Sequence, residues 1–290
     1  MTAAGAPVAL PVALPPAPAG SCAAEADLER RFGGLRRLYG ELGYSRLRRA
    51  RVAVVGLGGV GSWAVEALAR SGVAELVLFD LDHVAESNIN RQVQALDSTL
   101  GQAKAQALRH RVADIHPGCT VHAIEAFVQA DNWPALLPGT VDVLIDACDQ
   151  VRAKVALAAW GLGAQVAVVC VGAAGGKRQP ERVEVADLAD ATHDPLLASL
   201  RQRLRQAGVA PRAQAGRAAA IGLRCVFTRE TALGPVPACD ADGQAVAVAA
   251  DGSLNCHGYG SSVTVTATFG MVAAGEAIAQ LLRPRCLAAS

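Results

Sequence analysis

The stretch Arg51-Val-Ala-Val-Val-Gly-Leu-Gly-Gly-Val-Gly61 decides the fold. Arg51 to Gly56 is an uninterrupted apolar run after its first residue and reads as a buried strand. Gly59 to Ser71 carries helical spacing. At the junction, Gly56-x-Gly58-x-x-Gly61 fits the phosphate-turn pattern, with Gly59 adding a fourth position free of a side chain. Glycines there permit a tight turn and let backbone N–H groups approach a phosphate, whose charge the start of the next helix favours. Glu75-Leu-Val-Leu-Phe-Asp80 is the next strand, and Asp80 stands 19 residues after Gly61, where an acid accepts from ribose hydroxyls.

Further along, apolar strands alternate with helices. Gly101 to Ile115 reads as a helix, Cys119 to Ile124 and Val141 to Asp146 as strands, Val151 to Leu162 as a helix and Gln165 to Val171 as a strand. Such alternation with Val, Ile and Leu runs predicts an α/β fold: a Rossmann-like, doubly wound, mostly parallel sheet covered on both faces. From about residue 173 the pattern loosens into an irregular C-terminal lobe of the same domain, which spans 25–290. Within it Asp194-Pro195 opens a helix to about Ala207. Pro211 to Ala220 reads as mobile, and Asp242-Gly243 and Asp251-Gly252 punctuate a hairpin-like region. Residues 1–24 are Ala/Pro-rich and read as a disordered extension with no basic start of a signal peptide.

Up to Asp80 a nicotinamide oxidoreductase fits the chain. The residues beyond Asp80 do not suit one. Asn88-Ile-Asn-Arg91-Gln92 and Gly101-Gln-Ala-Lys104 bring an always-charged Arg and a Lys to the same crevice, which suits a triphosphate. Asp146-Ala-Cys-Asp149 ends a later strand at the carboxyl edge, where a carboxylate beside a triphosphate holds Mg2+. Of three lysines in the chain, Lys104 and Lys154 each come just after such a motif.

Composition bounds the partners. Hydrophobic residues are 52% and charged residues 18%, which allows a sizeable core and excludes a disordered charged tail protein. The net charge of +1 conceals an asymmetry: Arg30 to Arg51 holds eight Arg against Glu41 alone, and Pro195 to Arg229 holds seven Arg and no acid. Such clustering points to an anionic macromolecule, or to Arg-rich solvated faces. The eight cysteines are at least 14 residues apart, which leaves no C-x-x-C zinc pair and fits a reducing cytoplasm. Cys148 and Cys170 fall in apolar runs and read as small core residues. Gly258 to Leu282 has Glu276 as its sole charge; it is long enough to cross a membrane, and its Gly, Ser and Thr content reads instead as a buried strand-to-helix segment.

Gly56–Gly61, Asp80-x-Asp82, Asn88-x-x-Arg91-Gln92, Lys104 and Asp146-x-x-Asp149 together resemble the adenylation core of the E1-like superfamily, which includes the ThiF and MoeB activators of sulfur carriers. The resemblance implies ATP and Mg2+: Asp80 on the ribose, Arg91 and Lys104 on the phosphates, Asp149 on Mg2+, with Asn88 and Gln92 in support. Arg31-Phe-Gly-Gly-Leu-Arg-Arg-Leu-Tyr-Gly40, Gly59 to Gly72, Asp194-Pro-Leu, Cys225-Val-Phe and Gly258-Tyr-Gly260 through Gly270 narrow it to the tRNA threonylcarbamoyladenosine dehydratase branch, over residues 28–283. That branch implies a tRNA bearing N6-threonylcarbamoyladenosine, whose threonyl carboxylate is adenylated and then closed into a ring by a nitrogen of the modification itself. It also implies a homodimer, a monovalent cation in the C-terminal lobe and an accompanying cysteine desulfurase with its sulfur acceptor. Arg37 resembles an arginine that reaches the partner subunit's phosphates; a tRNA contact and a solvated helix face are its other readings. Cys256 stands where relatives carry a thioester cysteine, yet cyclisation needs none, and it reads with Cys225 as a structural thiol. Arg201, Arg203, Arg205, Arg212 and Arg217 become candidates for the tRNA backbone. The other reading is an activator of a ubiquitin-like sulfur carrier, against which the missing C-x-x-C pairs stand.

Overall fold

The computed structural model describes residues 26–211, 219–234, 238–239, 245–246 and 259–283. Seven strands, β1 (Arg51–Val55), β2 (Glu75–Phe79), β3 (Thr120–Ile124), β4 (Val143–Asp146), β5 (Ala167–Val171), β6 (Val183–Asp187) and β7 (Arg224–Thr228), form one sheet in the order β3-β2-β1-β4-β5-β7-β6. Every neighbouring pair is parallel except β6 with β7. The apolar runs have no polar face because both faces of the sheet are covered. Val52 and Val54 pack with α2 (Gly61–Arg70), α3 (Lys104–Ile115) and α6 (Val263–Leu282). Ala53 and Val55 pack on the other side with α4 (Val151–Ala164) and α5 (Pro195–Gln206). Asp194 caps α5 as expected, accepting from the Leu197 N–H at 3.0 Å. The two-residue strands β8 (Ala238–Cys239) and β9 (Ala245–Val246) pair antiparallel; Asp242-Gly243 and Asp251-Gly252 lie outside the described residues. So do residues 1–24 and most of 211–220.

Two elements depart from the sequence reading, and a third lies in a run to which it assigned no element. The arginine-rich run is the helix α1 (Leu28–Leu47), broken by Gly40 at φ +70°. The segment after Gly172 contributes β6 and β7 to the main sheet rather than only loops. Gly258–Leu282 has no strand among its described residues: 259–262 are irregular, and α6 begins directly after Ser262, which accepts from the Thr264 N–H. Val265, Phe269, Ala273 and Ala277 are its buried stripe, so tertiary packing overrides the β-preference of Val263-Thr-Val-Thr266. This helix is long and apolar enough to span a membrane, yet that stripe lies in the core between α2 and the sheet.

Two contacts fix the helices. A Cβ on Gly270 would lie 2.5 Å from the Val60 carbonyl oxygen and 2.7 Å from Trp63 Cβ, so α6 and α2 touch backbone to backbone. At the far end Arg48 donates to the Gly72 carbonyl and to His116 Nε2, both at 2.7 Å, tying α1 to α2 and α3. His116 is fully buried beside Phe32. Burial, with Arg48 and Arg31 adding to it, pushes its pKa from 6.5 down to about 4.

Gly270→Ala is expected to cost about 1–3 kcal/mol by overpacking, and Gly275→Ala, which has open space and the same helix, to gain a few tenths to about 1 kcal/mol. Melting curves of the two variants should move in opposite directions. His116 binds its proton more weakly folded than unfolded, so its contribution is whole above pH 6.5 and declines as the pH falls towards 4, by up to about 3 kcal/mol. Urea unfolding of His116→Gln at pH 7 and pH 4.5 should show a smaller stability difference between the two pH values than the parent; equal differences would exclude this role.

Candidate active site

The sheet reverses its winding between β1 and β4, and there the crevice opens at the carboxyl ends of the strands. Gly56 turns out of β1 at φ +85°, and a Cβ there would lie 2.8 Å from the Cys148 backbone nitrogen. A Cβ on Gly61 would overlap the Gly56 carbonyl oxygen. Gly58, by contrast, faces open space. Helix α2 starts without a side-chain cap; its Ser62 N–H donates to the Gly58 carbonyl at 3.1 Å, while those of Gly61 and Trp63 have no acceptor among the described residues and can receive an anion.

Gly56, Gly58, Asp80, Asp82, Lys104, Phe127, Cys148 and Asp149 line this crevice. Asp80 accepts from the Leu57 N–H at 2.7 Å and the Asp82 N–H at 2.9 Å, so the glycine turn itself orients the carboxylate. Burial pushes its pKa up, while Lys104 and those two N–H groups pull it back. Lys104 is nearly buried and its Nζ lies 2.7 Å from Asp82, whose side chain is 47% exposed. Asp82 therefore aims the ammonium into the crevice, which gives the second acid of Asp80-x-Asp82 a role that the sequence pattern left without a reason. Beneath the floor Lys154 and Asp146, both fully buried, pair at 3.1 Å. Burial alone would push the Lys154 pKa down; the Asp146 carboxylate outweighs it and holds the ammonium charged.

The structure thus brings together Gly56, Gly58, Asp80, Lys104 and Asp149. Arg91 stands on the outer side of the turn, its Cγ 3.2 Å from where a Cβ on Gly59 would be, with its guanidinium on the Ser87 carbonyl (2.7 Å) and Asn90 Oδ1 (3.0 Å). Asn88 and Gln92 brace the loop: Asn88 accepts from the Ala85 N–H, and Gln92 accepts from Gln94, which also donates to the Leu57 carbonyl. Arg37 lies exposed on α1, outside the crevice. Arg201 donates to the carbonyls of Leu188 and Ala191 and Arg205 to that of Pro211, which leaves Arg203 as the freely exposed one among the described members of its group. Arg212, Arg217 and Cys256 lie outside the described residues. Cys170 and Cys225 are buried neighbours in the sheet, as core thiols should be. Cys148 is not in a strand; it lines the crevice and donates to Asp146 at 2.9 Å.

Two contributors carried no signal in the sequence. Phe127 comes from the loop after β3 and is 41% exposed at the crevice wall. Thr266 of α6 packs 3.3 Å from a Gly59 Cβ position and keeps a buried hydroxyl without a partner. No cluster of three metal-binding side chains exists among the described residues. A single carboxylate at the crevice mouth nonetheless suits Mg2+, which takes one or two carboxylates together with substrate phosphates.

Lys154→Met is expected to cost about 3–5 kcal/mol by stranding the buried Asp146 carboxylate, and Lys154→Met with Asp146→Asn to recover much of it. Chemical denaturation of both variants checks this; equal loss in the two would contradict it.

Residues 31–289 match the ThiF family. The tRNA threonylcarbamoyladenosine dehydratase of Haemophilus influenzae is 37% identical over 263 residues, which is 89% of this chain and 96% of that protein. The crystal structure of the Escherichia coli tRNA N6-threonylcarbamoyladenosine dehydratase in complex with ATP superposes with a TM-score of 0.76 at 37% identity, over 88% of this chain and 96% of that one. The same enzyme solved with AMP gives 0.75. This chain belongs to the ThiF family and aligns along nearly its whole length with its tRNA threonylcarbamoyladenosine dehydratases.

Proposed function

We propose that this protein is an ATP-dependent tRNA N6-threonylcarbamoyladenosine dehydratase. The reading is carried by the likeness to the dehydratase solved with ATP, laid over a crevice in which a glycine turn, a ribose acceptor and two charged groups converge. The threonyl carboxylate attacks the α-phosphate of ATP, forming an acyl-adenylate and releasing pyrophosphate. A nitrogen of the same modification then attacks the activated carbonyl, loses its proton and expels AMP, so that the RNA loses one water. The nucleophile is tethered, and orientation supplies much of the second step.

The residues divide the work. Asp80, held by the Leu57 and Asp82 N–H groups, accepts the ribose hydroxyls. The open amides at Gly58 and the start of α2 receive phosphate oxygens. Lys104 and Arg91 supply preorganised positive charge from opposite sides of the turn. Asp149 would hold Mg2+, which neutralises charge on the phosphates when bound. A single adenylation domain from about residue 25, its C-terminal lobe starting near 173, is supported by β6 and β7 joining the main sheet. A homodimer is supported by Leu38 and Leu42, 69% and 64% exposed beside Arg37 on α1. Cytoplasmic residence agrees with a tRNA substrate and with cysteines that remain free.

Nucleoside mass spectrometry on modified tRNA, incubated with the protein and Mg·ATP and worked up without base, should show loss of one water. Omitting ATP should abolish it, and Asp149→Ala should lower the rate at least about a hundredfold. An unchanged nucleoside would overturn the reading.

A further inference from the structure

A second cleft, separate from the nucleotide crevice, is lined by Gly176, Lys177, Arg178, Leu233, Gly260 and Ser262. Three loops are stitched together there: the Gly176 N–H donates to the Gly260 carbonyl and the Leu233 N–H to the Gly176 carbonyl, both at 2.8 Å. The Ser261 carbonyl accepts from Asn90 at 3.1 Å, which joins the cleft to the loop that carries Arg91.

The cleft is built for negative charge. Lys177 is 4% exposed, and the hydrogen bond of its Nζ goes to the Glu230 carbonyl, a neutral group. No carboxylate lies within ion-pair distance of it among the described residues. The nearby acids are engaged: Glu230 accepts from the Arg178 and Gln179 N–H groups, and Asp194 from those of Ala173 and Leu197. An ammonium has three donors, so among the described residues two of those on Lys177 have no partner. Burial accordingly pushes its pKa down, with Asp194 and Glu230 pulling the other way. Arg178 stands exposed at the mouth, and Ser262 begins the 20-residue helix α6, whose positive end faces the same space. Tyr259 packs against the loop: a Cβ on Gly176 would be 2.9 Å from its Cδ1. An aromatic ring next to paired cations is the combination that holds an unstacked nucleotide.

We propose that this cleft is a subsite for an anionic group of the RNA substrate, bound by Lys177 and Arg178 as positioning residues. The proposal rests on the dehydratase reading for the identity of the substrate, and the shared chemistry admits two sources. One is a phosphodiester flanking the modified adenosine; the other is the threonyl carboxylate before it reaches the nucleotide.

The test is equilibrium filter binding of the full-length protein to tRNA with and without the threonylcarbamoyl group, at several salt concentrations, together with steady-state kinetics. Lys177→Gln removes the charge and keeps a donor for the Glu230 carbonyl. It is expected to weaken binding of modified tRNA about tenfold and to raise KM for tRNA similarly, with kcat and ATP affinity within about twofold of the parent. Arg178→Gln, at an exposed position where misfolding is not at issue, should act in the same direction. Equal loss with both RNAs and a salt slope smaller by about 1 assigns a phosphodiester, and loss confined to the modified RNA assigns the carboxylate. Parent-like RNA binding in both variants overturns the subsite, as does a fall in ATP affinity equal to that for RNA, or a parent protein that binds neither RNA. Loss of RNA binding in the variants without any dehydration by the parent would instead overturn the reading of the reaction and leave the subsite standing.

Discussion

The structure depends on one steric constraint: nothing but hydrogen can occupy the side-chain positions of residues 56 and 61. The Gly56 carbonyl fills the space a Cβ on Gly61 would need, and the Ala147–Cys148 backbone fills that of Gly56. Strand β1, helix α2 and the end of β4 therefore meet with no side chain between them. That closeness lets Asp80 reach the Leu57 N–H and brings Asp149 to the same crevice. It also forces Asp146 inside, where the Lys154 ammonium must compensate it. The glycine turn and the buried ion pair are thus two consequences of one approach of backbones.

The same closeness decides how much of the fold the chain alone reveals. The turn and the parallel strands are legible because their signals are local: glycines at fixed offsets and runs of Val, Ile and Leu. Asp80, Lys104 and Asp149 are legible with them because they end or come just after those runs. Helix α1 is not. Its four glycines, Gly33, Gly34, Gly40 and Gly43, disfavour a helix, and it stands through distant contacts such as Arg46 on the Leu282 carbonyl at 2.8 Å. Strands β6 and β7 carry Glu, Asp and Arg in runs of five, and only their pairing with each other and with β5 makes them strands. Phe127 and Thr266 reach the site from a loop and a distant helix, so no spacing along the chain could have indicated them.

The arginine asymmetry has a more mixed meaning than its count implies. Within α1 and the turn after it, Arg31 holds the Asp114 and Ile115 carbonyls, Arg46 the end of α6, Arg48 the Gly72 carbonyl and His116, and Arg36 pairs with Glu29 and Glu41. Three of the eight arginines of that run, Arg31, Arg46 and Arg48, close helix ends, where a planar guanidinium with several donors serves better than a lysine. Arg224 and Arg229 are engaged differently, in ion pairs with Glu276 and Glu184. What is left for a polyanion among the described residues is a scattered set of exposed arginines outside those pairs, Arg30, Arg37, Arg49, Arg109, Arg152, Arg178 and Arg203 among them, with Lys177 set deep in its cleft.

The chemistry of the crevice agrees with a reaction whose nucleophile arrives on the substrate. Among the described residues Cys148 is the cysteine that lines it, and it is arranged to remain a thiol. Burial pushes its pKa well up, the Asp146 charge pushes it further, and the thiol donates to that same carboxylate. A thiolate there would face Asp146 across 2.9 Å, charge against charge. A mechanism through an enzyme thioester would need the opposite setting, a cysteine beside a cation or a helix start. Cyclisation of a tethered group needs only that the carboxylate be activated and its neighbouring nitrogen be held in line, and the roles proposed for the glycine turn, Asp80, Lys104 and Arg91 serve the first of these. The second falls to whatever grips the RNA close to the crevice, and the Lys177 cleft is joined to the Arg91 loop through Asn90 and Ser261.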